Sequence, residues 1–524
     1  MIGLITALLL VLPGPYGLSG YTHRCRGCLS YALSFIEYPG KAQGKLTKAE
    51  VSVKFIGGID LRSQRSTAIT DFSQNSVQIT TFHILRQERK HLRSELRLHS
   101  RWKKTVVIIP LLASEYTNPA NLPIFQNILR QLRSITYVSK IIFGLDQATE
   151  EDVLVLRDLI KSSGIKNHLI QWNDGPGFSS IYRQLNEAGF NISEPGKGKN
   201  MFLSLGVAIA LGAQSIGLID ADIRTFKREQ LDRLFFPVVV LNYDFSKAYY
   251  ARIADRNIYG RVKRLLLDPL LLSLKRRFTE SKEEKMLHMI EFLLGFNYQL
   301  SGEVAFHVDL LKKMRFATNW GVEIFTLIEV YRKASSAAQV MFSEDPFDHK
   351  HQDVSPKDQT KGLNRMAIDI VTTLMNAMVI EEGLEISNTF FRDLAIIYQA
   401  VAEEQIKKYS DDASFSNLNY DRNAEEYLLK NVFRNSILQA GEILTAPYEI
   451  TERFLRLVNS HSEFRPFLEG GLAETILEVE RKTEQRVFEM PQTVSWERVS
   501  NKLPRIFYDL IEVVENEKRR FSLM

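Results

Sequence analysis

At 524 residues, with 45% hydrophobic and 25% charged residues, the chain is too long for one ordinary domain and has a globular balance, which excludes a disordered or multi-spanning membrane protein. Its 67 basic and 62 acidic residues leave a formal charge of only +5, which gives no footprint for nucleic-acid binding. The only two cysteines, Cys25 and Cys28, exclude a disulfide framework and cannot complete a four-ligand zinc site within one chain.

The first residues, "MIGLITALLLVLPGPYGLSGY", carry an apolar run from Ile2 to Leu12. It is far shorter than the roughly 20 residues that span a bilayer and lacks the basic start of a signal peptide. We expect no stable membrane insertion, a cytoplasmic location, and a poorly structured leader over residues 1–70. Gln78 to Trp102 mixes apolar and charged residues in a helical pattern and predicts an amphipathic lead-in helix, within a segment bounded at 71–104. Strands and helices then alternate. "TVVIIP", "VSKIIFGLD", "KNHLIQW" and Ser215 to Ile219 read as buried strands, and "NLPIFQNILRQLRSI", "TEEDVLVLRDLIKSSG" and "SSIYRQLNEAG" read as helices between them. This order predicts an α/β fold with a parallel, doubly wound sheet whose ligands sit at the carboxyl ends of the strands. Those ends are "PLLASE", "GLD", "NDGPG" and "DAD". After residue 360 successive 3.6-period patterns, including "YEITERFLRLVNSHSEF", predict an α-helical C-terminal domain at 356–524, following an α/β domain at 105–355.

Five clusters could carry chemistry. Asp220 and Asp222 flank Ala221 at a strand end, where carboxylates suit Mg²⁺ shared with substrate phosphates; a helix N-cap is the plain alternative. Lys197, in a Gly-Lys-Gly turn opening a helix, can meet a diphosphate, although a surface turn would look similar. Trp320 and Glu323, around Gly321, suit a sugar, the ring packing on one face and the carboxylate accepting hydroxyl hydrogen bonds; a core Trp and a helix-end charge would give the same pattern. His349 and His351 can ligate a metal or form a solvated loop pair. Arg261, after Gly260, can clamp a phosphate or carboxylate or belong to a solvated helix face.

The order of these motifs, with Leu300-Ser301-Gly302-Glu303 and Gly321-Val322-Glu323-Ile324 between Asp-x-Asp and the histidines, resembles the GT-A-fold retaining glycosyltransferases of the glucosyl-3-phosphoglycerate synthase family over residues 105–355. The resemblance implies a GT-A, Rossmann-like nucleotide-sugar domain and glucose transfer from a nucleoside diphosphate sugar, UDP-glucose, to a small anionic acceptor such as 3-phosphoglycerate, with Mg²⁺ or Mn²⁺ as cofactor. It places Pro110, Leu112, Glu115, Gly144 and Asp146 on the donor, with Lys197 and Asp220, and gives the metal to Asp222 and His349. It gives the sugar and acceptor to Arg261, Lys263, Leu300, Ser301, Trp320, Glu323 and His351, with Lys197, Glu323, Leu300 and Ser301 nearest the reaction. This chain departs from the family at Ala113-Ser114-Glu115, where an Asn-Glu-Glu type sequence is usual, at Lys263, where a small hydroxyl residue is common, and at His351, where an amide is common. Transfer to glycerate, a polyol or another sugar stays open, as does homodimerisation. Nucleotidyl transfer is disfavoured because "PLLASEYTNPAN" lacks a glycine-rich, arginine-containing loop.

Overall fold

The computed structural model describes residues 73–445 and 493–523, except 75, 77, 87–88, 191, 193–195 and 350–361. The expected leader, His351 and the helix expected at 448–464 lie outside the described residues.

Ile79–Phe82 forms a strand, β1, and only Arg89–His99 forms a helix, α1, so the expectation of one continuous lead-in helix is corrected. The sequence Ile-Thr-Thr-Phe is β-branched and aromatic, and its strand partner is distant: β1 pairs in parallel with β11 (Ala337–Met341), Ile79 opposite Ala337. Local periodicity does not encode a partner that lies more than 250 positions away, as Ala337 does from Ile79.

The central strand β2 (Thr105–Leu112) buries Val106, Val107, Ile108 and Ile109 completely. Val106 and Ile108 enter one apolar core, Val107 and Ile109 the other, because successive side chains point to opposite faces. Each such burial contributes roughly 1.5–3 kcal/mol. Strands β3 (Lys140–Asp146), β4 (His168–Trp172) and β5 (Ser215–Leu218) complete a parallel half in the order β4-β3-β2-β5. Helices α2 (Leu122–Arg133), α3 (Glu150–Ser163), α4 (Pro176–Glu187) and α5 (Lys197–Ala210) alternate with these strands. In α3 the chain dictates both ends: Thr149 and Asp152 form a capping box, and Gly164 closes the helix at φ 78°.

The other half is mixed, correcting the all-parallel expectation. Strand β9 (Val304–His307) runs antiparallel between β5 and β6 (Phe245–Tyr249), and the full order is β1-β11-β6-β9-β5-β2-β3-β4. The result is an α/β, Rossmann-like sheet, and the direction of β9 has a consequence for the site. An antiparallel strand begins where its neighbours end, so the loop before β9, Leu300 to Glu303, lands at the ligand-binding edge. Around this sheet pack α6 (Arg228–Val239), α7 (Asp268–Ser281), α8 (Glu284–Leu294) and α9 (Val322–Lys333), and a minor hairpin joins β7 (Ile253–Ala254) to β8 (Asn257–Ile258).

Helices α10 (Gly362–Glu382), α11 (Asn388–Phe415) and α12 (Arg422–Leu428) follow, and α12 runs through a π turn at Leu429–Phe433 into helix as far as 445. Among the described residues α10 alone is long and apolar enough to cross a membrane, and here it packs on α9. The end of the chain returns to the sheet domain. Strand β12 (Thr493–Ser495) pairs with β10 (Arg315–Ala317), and helices α13 (Trp496–Lys502) and α14 (Ile506–Leu523) follow, α14 lying on α4, α5 and β4. Trp496 is fully buried and stacks on Phe202 at 4.3 Å, and its indole N–H donates to the Phe202 carbonyl at 2.9 Å. Gly206 makes room for it, since a Cβ there would stand 2.1 Å from the Trp496 ring.

Candidate active site

A cavity of about 370 Å³ opens at the carboxyl ends of β2, β3, β5 and β6, within the size range of small-molecule sites. Pro110, Leu112 and Glu115 at the end of β2 and Asp146 at the end of β3 line one side. Burial pushes the Asp146 carboxyl up to about 6, although Asn173 donates to it at 2.7 Å. Gly144 does not line the cavity. Its carbonyl accepts from the Asn200 amide at 2.6 Å, and a Cβ at 144 would lie 2.3 Å from Asn200 Oδ1, so glycine lets α5 close on the sheet.

Lys197, at the start of α5, is the centre of charge. Its ammonium lies 2.7 Å from Asp220 Oδ1, 2.9 Å from Asp220 Oδ2 and 3.0 Å from Glu323 Oε1. Burial alone would lower its pKa, but the Asp220 and Glu323 carboxylates outweigh burial and hold it above the usual lysine range. Three residues distant in sequence thus form one ion cluster. Gly302 lies directly on it, where a Cβ would come within 2.5 Å of both Asp220 Oδ2 and Lys197 Nζ.

Asp222 and His349 meet through the backbone: Ile223 forms an isolated antiparallel bridge with His349, and the Arg224 N–H donates to the Asp348 carbonyl at 2.9 Å. His349 Nδ1 stands 3.8 Å from Asp222 Oδ2, too far for a hydrogen bond. Asp222 Oδ1 and His349 Nδ1 are both buried and have no hydrogen-bond partner. Burial would raise the Asp222 carboxyl, but the His349 ring and then Lys197 hold it below the usual carboxylate range. These two buried atoms without partners, one on a carboxylate and one on an imidazole, form a mixed oxygen–nitrogen donor pair open to a divalent metal, the carboxylate being the donor that suits Mn²⁺ or Mg²⁺. No cluster of three or more His, Cys, Asp or Glu side chains suited to a metal occurs among the described residues.

Arg261 and Lys263 also line the cavity, after Gly260, whose φ of +79° favours glycine. Lys263 is ion-paired with Asp268, and its ammonium lies 5.9 Å from the centre of the Tyr298 ring. Trp320, Glu323 and Leu300 also reach the cavity. Ser301 does not. It is fully buried, its hydroxyl donates to the Ala248 carbonyl at 2.7 Å, and its carbonyl accepts from Lys247 Nζ at 2.7 Å. Its expected contact with the reaction is therefore replaced by a structural role, fastening the 300–302 loop to β6.

Several lining residues escaped the motif reading. Arg252 follows β6 by three positions, and the strand-end rule applied to β6 would have found it. Leu363, Met366 and Ile370 on α10 form an apolar wall, at spacings that share one helix face. Behind the site, Glu303 accepts from the Tyr250 hydroxyl at 2.8 Å, and burial, then the Asp220 charge, pushes its carboxyl up to about 7.

No family model matches the chain. The glucosyl-3-phosphoglycerate synthase of Persephonella marina is 36% identical over 364 residues, 68% of this chain and 86% of that protein. The enzyme of the same name from Methanococcoides burtonii is 30% identical over 377 residues, 71% of this chain and 89% of that protein. Among solved structures, the glucosyl-3-phosphoglycerate synthase of Mycobacterium tuberculosis in complex with Mn²⁺, UDP and phosphoglyceric acid aligns at a TM-score of 0.41 and 22% identity, covering 57% of this chain and 86% of that one. The extent of the match to the two sequence relatives, nearly their whole length, means that this chain belongs to the glucosyl-3-phosphoglycerate synthase family and is a glycosyltransferase.

Proposed function

We propose that the protein transfers glucose from UDP-glucose to 3-phosphoglycerate, with retention of anomeric configuration and dependence on a divalent metal. The observation that carries this reading is the make-up of one cavity, whose lining combines Asp222 and His349, each with a buried polar atom that lacks a hydrogen-bond partner, with the cations Lys197, Arg252, Arg261 and Lys263. A metal-bound diphosphate suits the carboxylate and imidazole, and a phosphorylated acid suits the arginine and lysine side chains.

Asp222 and His349 would hold Mn²⁺ or Mg²⁺, which when bound would supply charge neutralisation for the departing diphosphate. Lys197, already protonated and held by two carboxylates, adds a fixed positive charge that needs no reorganisation during reaction. Glu115 and Asp146 offer acceptors for the nucleoside. Glu323 accepts sugar hydroxyls against the Trp320 ring, and the Leu300 carbonyl orients the acceptor hydroxyl. The bond from the anomeric carbon to the diphosphate oxygen breaks, with its electron pair leaving on that oxygen. The acceptor oxygen bonds to the same face of the carbon, and its proton passes to the departing diphosphate.

The protein would act in the cytoplasm, with no nucleic-acid or membrane partner. His351 would add an acceptor contact, where the family resemblance puts one. Incubation of the purified protein with Mn²⁺ or Mg²⁺ and a panel of nucleotide sugars, with and without 3-phosphoglycerate, tests the reading. An α-linked glucosyl product that appears only with acceptor and metal is the expected result. Preference for unphosphorylated glycerate would transfer the assignment to a neutral acceptor.

A further inference from the structure

Arg264 lies in the same turn as Arg261 and Lys263 but does not line the cavity. The turn is a π helix, Val262–Leu267, in which the Asp268 N–H reaches back to the Lys263 carbonyl. Such wide turns are rare and frequent at functional sites. Arg264 ties this one to its surroundings. Its guanidinium is bidentate with Glu425 of α12, Nη1 at 2.7 Å from Oε2 and Nη2 at 3.0 Å from Oε1, while Nε donates to the Tyr259 carbonyl at 3.0 Å. Tyr409 of α11 and Tyr420 face the same guanidinium, with ring centres 5.0 and 5.7 Å away, and the Tyr420 hydroxyl donates to Glu425 at 3.2 Å. Tyr398 of α11 also donates to the Leu265 carbonyl. Arg264 is 4% exposed and Glu425 8%, so the pair is shielded from water and salt.

We propose that Arg264, held by Glu425, is the positioning residue for the acceptor contacts of the cavity, so that α11 and α12 help to shape acceptor recognition. This rests on the reading of Arg261 and Lys263 as acceptor contacts. One guanidinium joins Tyr259, immediately before Gly260, to the C-terminal helices, and the two cavity-lining cations lie between Tyr259 and Arg264 in sequence. A buried ion pair adds little net stability over an apolar pair but fixes geometry, and loss of one partner leaves an uncompensated charge. The acceptor, not the donor, should register its loss, because the donor contacts come from β2, β3 and the Asp-x-Asp turn.

The test compares wild type, Glu425→Gln, Glu425→Ala and the control Glu426→Gln, which removes an exposed pair with Arg422. Steady-state kinetics with UDP-glucose and 3-phosphoglycerate are combined with calorimetric binding of 3-phosphoglycerate and of inorganic phosphate. We expect the acceptor KM to rise on the order of tenfold in Glu425→Ala, as is typical of coupling through a packed network. The rise should be smaller in Glu425→Gln, with donor KM within about twofold of wild type in both. Equal rises for donor and acceptor, or an unmoved acceptor KM in a folded variant, overturn the proposal. Should Glu425→Ala fail to fold, the double replacement Arg264→Met with Glu425→Leu keeps the contact packed. It should show the same loss of acceptor affinity, and wild-type affinity there overturns the proposal. A wild type that binds these anions without transferring glucose overturns the proposed reaction alone, and one that binds neither overturns both.

Discussion

Asp222 and His349 each present a buried polar atom with no partner, an arrangement that costs free energy unless a further group completes it. Replacement Asp222→Asn keeps the shape and removes the charge. Activity should fall by about two orders of magnitude or more and donor binding should lose its response to Mn²⁺, while Tm changes little. A large fall in Tm would assign Asp222 to folding instead. Among the acceptor contacts, Arg261→Ala removes a planar fork worth roughly 1.5–3 kcal/mol to a bound phosphate. The acceptor KM should rise about tenfold to a hundredfold for 3-phosphoglycerate and less for glycerate, with donor KM nearly constant. Equal effects on both acceptors would place the phosphate elsewhere.

At the scale of elements, the antiparallel β9 decides which loop enters the site. Gly302 sits where any side chain would press on Asp220 and Lys197, so Gly302→Ala should reduce kcat by about tenfold or more while leaving the circular dichroism spectrum native. Helix α14 carries a second consequence. Burial pushes the Glu517 carboxyl up to about 7 from an ordinary value of 4.5. Between those values the native protein keeps a proton that the unfolded chain releases, so this group makes stability fall as pH rises from about 4.5 to about 7. Glu517→Gln should therefore be more stable than wild type at pH ~8, by roughly 1–3 kcal/mol, and equal to it near pH ~4. Denaturant melts at the two pH values measure this, and a constant difference between them would show that Glu517 does not hold its proton in the native state.

For the whole molecule, the last strand and helices are part of the sheet domain's stability. Trp496→Ala empties a buried, stacked position against α5 and should cost about 3–5 kcal/mol. Far-UV and near-UV signals should lose stability together, in one transition. Separate transitions, with the sheet domain unaffected, would show that the C-terminal return is dispensable.

The strongly periodic elements were legible in the chain itself. The apolar run of β2, the capping box and closing glycine of α3, and the Asp-x-Asp at the end of β5 are local patterns, and local sterics and burial suffice to produce them. Most of the candidate site residues could be named for the same reason, since strand ends, glycine turns and paired carboxylates are written in short stretches. Where those stretches meet was not legible. The pairing of β1 with β11, the insertion of β9 between β5 and β6, the return of β12 to β10, the Ile223–His349 bridge and the Arg264–Glu425 pair join positions far apart in sequence. Periodicity reports which face of an element is buried, not which partner buries it, and for this reason Arg252 and the α10 wall were not legible as cavity residues; Ser301, named through the family resemblance, is turned by packing onto β6. Local chemistry determined what groups the site contains; long-range packing decided which of them share one cavity.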